Sequence, residues 1–267
     1  MSDISTSSML TLLQWCDSNF PSGAFNHSFG LETYMQAGQV TDKASFKLWL
    51  EAYVLEQLIY NDLLACRLAY EALEGNALNT NELNVNELNV NELKANELKA
   101  NALEANEQEA NELEEIWRLD RLMTTQCMPR ETREGMRRIG ERMVKLATAL
   151  YDSPALAQYS KRLAVKESFG HPAIAFAMMA FHVGAGKETA VLSCLYSSVS
   201  GMVQNGVRAI PLGQTDGQKL LRELQPLLEQ AAYQVQTLTI DDLGVVAPGL
   251  ECAQMRHEQL HIRLFMS

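Results

Sequence analysis

The sequence predicts an all-α protein: a single helical-bundle-like domain of about ten helices, interrupted by a low-complexity insert. Three observations point there. Outside one repeat, apolar residues recur at i, i+3 and i+4 spacing. Ser, Asp, Pro and Gly punctuate these runs where helices start and stop. No series of alternating apolar and polar segments of strand length occurs.

Each element follows from its own residues. Met9, Leu10, Leu12, Leu13 and Trp15 follow a serine-rich start that can cap a helix. Asp17 to Asn26 holds Pro21 and Gly23 and reads as a loop. Ser28 to Ala37 fits a short helix closed by Gly38. Asp42 can cap a long helix towards Glu74, with Phe46, Trp49, Leu50, Tyr53, Val54 and Leu58 on one face. A helix from Glu112 to about Cys127 stops at Pro129, and the next runs from Arg130 to Tyr151. Ser153-Pro154 places a cap and a first-turn proline before a helix to about Lys166. His171-Pro172 opens another through Val183, broken by Gly184 and Gly186. Glu188 to Val203 is apolar enough to be buried, and Gln214 to Gln236 is helical with an interruption expected at Pro226. After Pro248, helical spacing runs to Phe265.

The segment 81–109 stands apart from the domain formed by 1–80 and 110–267. Asn recurs every fifth residue from Asn81 to Asn111, and Leu follows two places later in most copies. A five-residue step turns a helix by about 140°, so the leucines spiral and make no apolar stripe or heptad seam. This repeat reads as a solvated helix or a disordered insert. Residues 81–115 carry ten Glu and two Lys, hence −8 of the formal charge of −11, which leaves only −3 elsewhere. Global acidity therefore says little about partners, and nothing favours nucleic acid.

With 47% hydrophobic residues among 267, the chain can bury a substantial core. It has no apolar run long enough for a membrane helix, and Met1 to Ser8 does not read as a secretory signal. Cys16, Cys66, Cys127, Cys194 and Cys252 are scattered without a CxxC pair, which fits reduced thiols in a cytoplasmic protein.

One motif suggests metal chemistry. His257-Glu258-Gln259-Leu260-His261 matches H-E-x-x-H, in which two histidines on one helical face bind zinc and the glutamate acts as base. A catalytic zinc needs a third protein ligand, and Ile262 to Ser267 contains no His, Glu or Asp. A zinc hydrolase, or a metal-binding helical protein using His257 and His261, is thus the alternative to a partner-contacting terminal helix. Gly184-Ala185-Gly186-Lys187 echoes a phosphate loop, but Phe181 and Glu188 stand where Gly and Ser or Thr are required. Arg130, Arg133, Arg137, Arg138 and Arg142, interleaved with Glu131, Glu134 and Glu141, make either a solvated ion-paired helix or a docking face. Gly135 and Gly140 within it imply close packing there. His27, His171 and His182 read as capping or hydrogen-bonded residues, not ligands.

Four blocks carry a family resemblance. Leu13 to Glu32 contains Asp17-Ser18, Pro21, Gly23, Phe25, His27-Ser28 and Gly30-Leu31-Glu32. Arg133-Glu134-Gly135 leads to Gly140; Pro211-Leu212-Gly213-Gln214 leads to Gln218; Met255-Arg256-His257-Glu258 leads to Arg263-Leu264-Phe265-Met266-Ser267. In this order they resemble the urease accessory protein F (UreF) family over residues 9–267. The pentapeptide repeat departs from the family pattern, as does Gly249-Leu250-Glu251, where relatives often carry L-D-I. The resemblance implies a non-catalytic, homodimeric chaperone or scaffold without catalytic residues. It would bridge a D/H-type urease accessory protein and a G-type GTPase, modulate that GTPase, and take part in GTP-dependent nickel insertion into apo-urease. GTP would be bound by the partner. No cofactor would be held tightly by this chain, Ni²⁺ would be handled transiently by the complex, and nickel would pass through the interior. The implied partner-binding residues are Phe25, His27, Arg256, His257, Glu258, Arg263 and Phe265, with Phe25 and Arg263 near the GTPase and the tail ordering on the D/H-type partner. Tyr196 would lie in the dimer region.

Overall fold

In a computed structural model of the chain, residues 4–75, 113–244 and 247–267 are described. The repeat at 81–109 lies outside them. All regular structure among the described residues is helical.

Helix α1 (Thr6–Cys16) starts at Ser5, whose hydroxyl accepts from the Ser8 N–H. Helix α2 (Leu31–Gln36) follows the loop 17–30. Helix α3 (Lys43–Ala52) opens on a reciprocal cap in which the Asp42 carboxylate accepts from Ser45 N at 2.8 Å and the Asp42 N–H donates to Ser45 Oγ. It continues into a π-helical stretch, Tyr53–Leu63, and then as α-helix to residue 75. Its apolar face is buried as the spacing predicts, from Phe46 to Leu58.

Helices α4 (Glu114–Gln126) and α5 (Arg130–Leu150) flank Pro129. Helix α6 (Pro154–Ala164) is capped by Ser153, and α7 (Pro172–His182) by His171, whose Nδ1 accepts from Ala173 N. Helices α8 (Lys187–Ala209), α9 (Gln214–Gln234) and α10 (Pro248–Arg256) complete the chain.

Helix α7 forms the centre. Ala173 to Ala180 are all buried, and their small side chains let neighbours approach from every side. Helices α5, α6 and α8 pack on it, and α9 packs along α8. Asp120 of α4, fully buried, fixes the entry to α7: it accepts from Tyr159 Oη at 2.8 Å, Phe169 N at 2.6 Å and His171 N at 2.9 Å. A buried carboxylate is tolerated when its lone pairs are met in this way.

The glycines of α5 mark close approach, though to loops and not to another helix. A Cβ on Gly140 would lie 1.8 Å from the Gly170 carbonyl oxygen, and one on Gly135 would lie 2.7 Å from the His27 ring. Pro226 does not interrupt α9. It sits on the exposed face, so the Arg222 carbonyl it deprives of a donor is open to water, while Leu224 and Leu228 stay anchored in the core.

The C-terminus differs from expectation. Helix α10 ends at Arg256, a single 3₁₀ turn covers His257–Gln259, and the chain then runs without helix to Ser267. The reason is competition for backbone donors. Glu32 takes the N–H groups of Leu264 and Phe265, and the Asn26 carbonyl takes that of Met266.

Candidate functional site

The loop 17–30 and the tail 257–267 form one structure against α5 and α8. Gly23 and Gly30 adopt φ of 83° and 94°, a region that favours glycine. A Cβ on Gly23 would also lie 1.9 Å from the Arg142 guanidinium, which would have to swing aside. These constraints seat His27 over Gly135. The His27 carbonyl accepts from Asn205 Nδ2 at 2.8 Å, and its Nδ1 lies 2.7 Å from Ser267 Oγ. Burial, reinforced by Arg138 and Arg142 nearby, pushes the His27 imidazole down to about 4. It is therefore neutral at neutral pH.

Glu32 is the hub of the tail. Only 2% exposed, it accepts from Leu264 N at 2.6 Å, Phe265 N at 3.1 Å and His257 Nε2 at 3.0 Å. On the other side of the ring, His257 Nδ1 lies 2.7 Å from Glu131 Oε2, and Arg263 Nη1 donates to Glu131 Oε1 at 2.7 Å. Burial pushes the Glu131 carboxyl up, but the hydrogen bonds from His257 and Arg263 outweigh it and hold it below its usual range. Arg130 and Glu258 pair at 3.1 Å nearer the solvent.

Beyond the turn the tail is an irregular, bent segment that is exposed from His261 to Leu264. Ile262, Leu264 and Met266 face solvent, while Phe265 and Ser267 face inward. The Arg208 guanidinium lies over both the Phe265 and Phe25 rings, at 5.4 and 5.8 Å, and Nη1 donates to the Phe25 carbonyl at 3.0 Å. Phe25 is half exposed. Loop and tail together therefore present Phe25, Ile262, Leu264 and Met266.

This arrangement corrects the reading of His257 as a surface residue, since its ring is fully buried. His27 and Phe265 are buried too, so these three shape the surface from beneath. His261 follows the end of the helical turn and is exposed, so the two histidines of H-E-x-x-H do not share a helical face. No group of three or more His, Cys, Asp or Glu placed to hold a metal occurs among the described residues. Arg256 and Arg263 are exposed, and Glu258 is more exposed than Glu131. Glu32, Glu131 and Arg208 organise the site although sequence reasoning did not select them.

A second surface involves Tyr196. It is 41% exposed on α8, one turn from the equally exposed Leu192. Helix α1 packs along α8, with Cys16 Sγ 3.4 Å from the Ser193 carbonyl, and exposes Met9, Leu10 and Leu13.

A family model, UreF, matches residues 40–225. The chain belongs to the UreF family. A urease accessory protein UreF of Lachnoclostridium phytofermentans is 47% identical over 259 residues, covering 97% of this chain and 98% of that relative. Namesakes in Bacillus sp. (strain TB-90) and Geobacillus kaustophilus are 46% and 44% identical, each over 97% of this chain. With all but about 3% of this chain covered, the UreF relatives span the loop 17–30 as well as the segment matched by the family model. Their name places the family as accessory to urease and not as the catalyst. No helix among the described residues is long and apolar enough to cross a membrane.

Proposed function

We propose that this chain is a non-catalytic scaffold in urease maturation. It bridges a D/H-type accessory protein and a G-type GTPase, modulates the GTPase, and takes part in GTP-dependent delivery of Ni²⁺ to apo-urease. The observation that carries this reading is the loop–tail surface on a UreF-family chain. Ile262, Leu264, Met266 and Phe25 are exposed, as are Arg263 and Arg256, while Glu32 fixes the tail backbone and Glu131 holds the His257 and Arg263 side chains. Apolar anchors with arginines suit a docking patch. Holding them in place before the encounter removes part of the ordering cost of binding.

Nickel is cargo in this scheme. Two partly enclosed cavities, of about 40 and 110 Å³, both reach Asp62 and Met136. The larger is also lined by Cys194, Met143 and Met202. A buried carboxyl flanked by sulfur-bearing side chains supports an interior passage for a divalent ion.

The test is co-purification of the tagged chain with both accessory proteins. Besides the full chain, the double variant Ile262→Glu/Leu264→Glu is used, because it changes the exposed face and leaves the buried contacts in place. Capture by the wild type and at least tenfold weaker capture by the variant support the surface. Equal capture moves the interface elsewhere, and no capture by a folded wild-type chain overturns the scaffold reading.

A further inference from the structure

The larger cavity, of about 110 Å³, has mainly apolar walls. Phe29 of the loop, Met136, Ile139 and Met143 of α5, Phe176 of α7 and Met202 of α8 form most of them. An apolar cavity of about 150 Å³ takes up benzene. Asn205 of α8 also lines the cavity and is 2% exposed. Its Nδ2 donates to the His27 carbonyl, which fixes the amide, and its Oδ1 has no hydrogen-bond partner among the described residues. A buried acceptor left unmet costs free energy that a donor on a ligand would recover. Gly201 lies one turn before Asn205 and lines the cavity too, and a Cβ there would meet nothing within 4 Å among the described residues. A glycine inside a 23-residue helix weakens that helix, and here no neighbour demands it. What the missing side chain leaves is space. Ser22 and Ala24 of the loop and Ser197 and Ser198 of α8 are half-buried, so the cavity opens between the loop and the helix.

We propose that this cavity binds a small, mainly apolar organic molecule, the size of a single aromatic ring, that directs one hydrogen-bond donor at Asn205 Oδ1. The apolar walls supply affinity, and the unmet acceptor selects a ligand with a donor. Asp62 is on the wall as well, where burial pushes its carboxyl up towards the neutral form. Phe20, Ser22, Ala24 and Phe29 of the loop line the cavity, so an occupant braces the loop that presents Phe25. The site itself is independent of the docking surface and of the ion passage; only an effect of the occupant on docking rests on the reading of that loop as a partner surface.

The experiment uses the full chain alone, so its outcome is separate from partner capture. Phenol and toluene are the probes: they are nearly isosteric, and only phenol carries a donor. Methionine methyl groups are followed by NMR, because Met136, Met143 and Met202 line the cavity while Met9, Met128 and Met255 are exposed. The expected result with phenol is saturable shifts confined to the three cavity methionines. Exchange of the loop amides from Ser22 to Phe29 should slow about threefold or more at saturation. Transfer out of water alone favours toluene, so phenol binding at least as tightly as toluene is the mark of Asn205. Gly201→Leu puts a side chain into the space and should weaken phenol binding about tenfold or more, with helical content unchanged. Gly201→Ala, a milder filling, should weaken it less. No shift on any methionine, or equal shifts on exposed and cavity methionines, overturns the site and leaves the cavity to water. Binding untouched by both Gly201 substitutions overturns it as well. Tighter binding of toluene overturns the role of Asn205, and loop amides that exchange at the same rate with and without phenol overturn the bracing of the loop.

Discussion

Glu32 and His257 are 225 residues apart in sequence, yet Glu32 Oε2 and His257 Nε2 lie 3.0 Å apart and both side chains are buried. Glu32 also carries two tail amides, so one carboxylate closes the chain end onto the first turn of α2. Glu32→Gln keeps the shape but removes the charge and turns one acceptor into a donor, which then faces a ring or backbone N–H. Breaking one partner of a buried charged cluster costs about 3–5 kcal/mol. The expected outcome is a loss of stability at the low end of that range in denaturant unfolding. Protection of Leu264 and Phe265 should be lost and that of α7 retained. A variant as stable as the wild type would mean that the cluster contributes no net stability.

The glycines allow a paired test. Gly140→Ala gains helix propensity of about 1 kcal/mol, but its methyl carbon would sit 1.8 Å from the Gly170 carbonyl oxygen. That atom is backbone, held where Asp120 fixes residues 169–171, and cannot yield cheaply. The expected net effect is destabilisation by about 2 kcal/mol or more. Gly201→Ala, in α8, meets nothing within 4 Å. It should stabilise by up to about 1 kcal/mol. Thermal unfolding of the two variants should move in opposite directions.

These contrasts show what a sequence reader could find. The caps Ser5, Asp42, Ser153 and His171 act within three residues of themselves, so local pattern exposed them. Gly135 and Gly140 betrayed close packing, because a glycine in a long helix needs a reason, but not what packs there. The tail was misread as a helix to Phe265 because its spacing fits one. What overrides that spacing is Glu32, whose hydrogen bonds lie in another part of the chain and have no sequence signature. Glu131 and Arg208 escaped for the same reason: their partners are over a hundred residues away. Glu32 did stand in the quoted stretch Gly30-Leu31-Glu32, and an acidic side chain on the short helix α2 was the available hint.

His27 makes the stability of the fold depend on pH. Its folded value, about 4, lies below the ordinary 6.5. An imidazole depressed on folding contributes stability that is fully present above about pH 6.5 and is lost as pH falls towards about 4, because the unfolded chain binds the proton more readily. The contribution is up to about 3 kcal/mol. Denaturant unfolding between about pH 7 and about pH 4.5 should therefore show a fall in stability that is smaller in His27→Gln. Parallel pH profiles for the two proteins would assign the loss to other groups.

The α1–α8 face bears on the homodimer that the family resemblance implies, for which Tyr196 is the expected contact. Leu13 and Leu10 are more than half exposed, and Leu192 and Tyr196 lie beside the end of α1. Apolar side chains gathered from two packed helices are costly to leave in water, by about 25 cal/mol per Å². A two-fold contact would pair the same patch on both copies. A glutamate placed in such a patch meets its own symmetry mate, so a single substitution acts twice. Tyr196→Glu and Leu13→Glu should each shift sedimentation velocity from dimer to monomer, with helical content unchanged because neither side chain is buried. Leu48→Glu, at an exposed leucine on α3, should leave the dimer intact. A wild-type chain that sediments as a monomer would overturn the homodimer that the resemblance implies. A dimer that survives both α1–α8 substitutions would place its interface on another face.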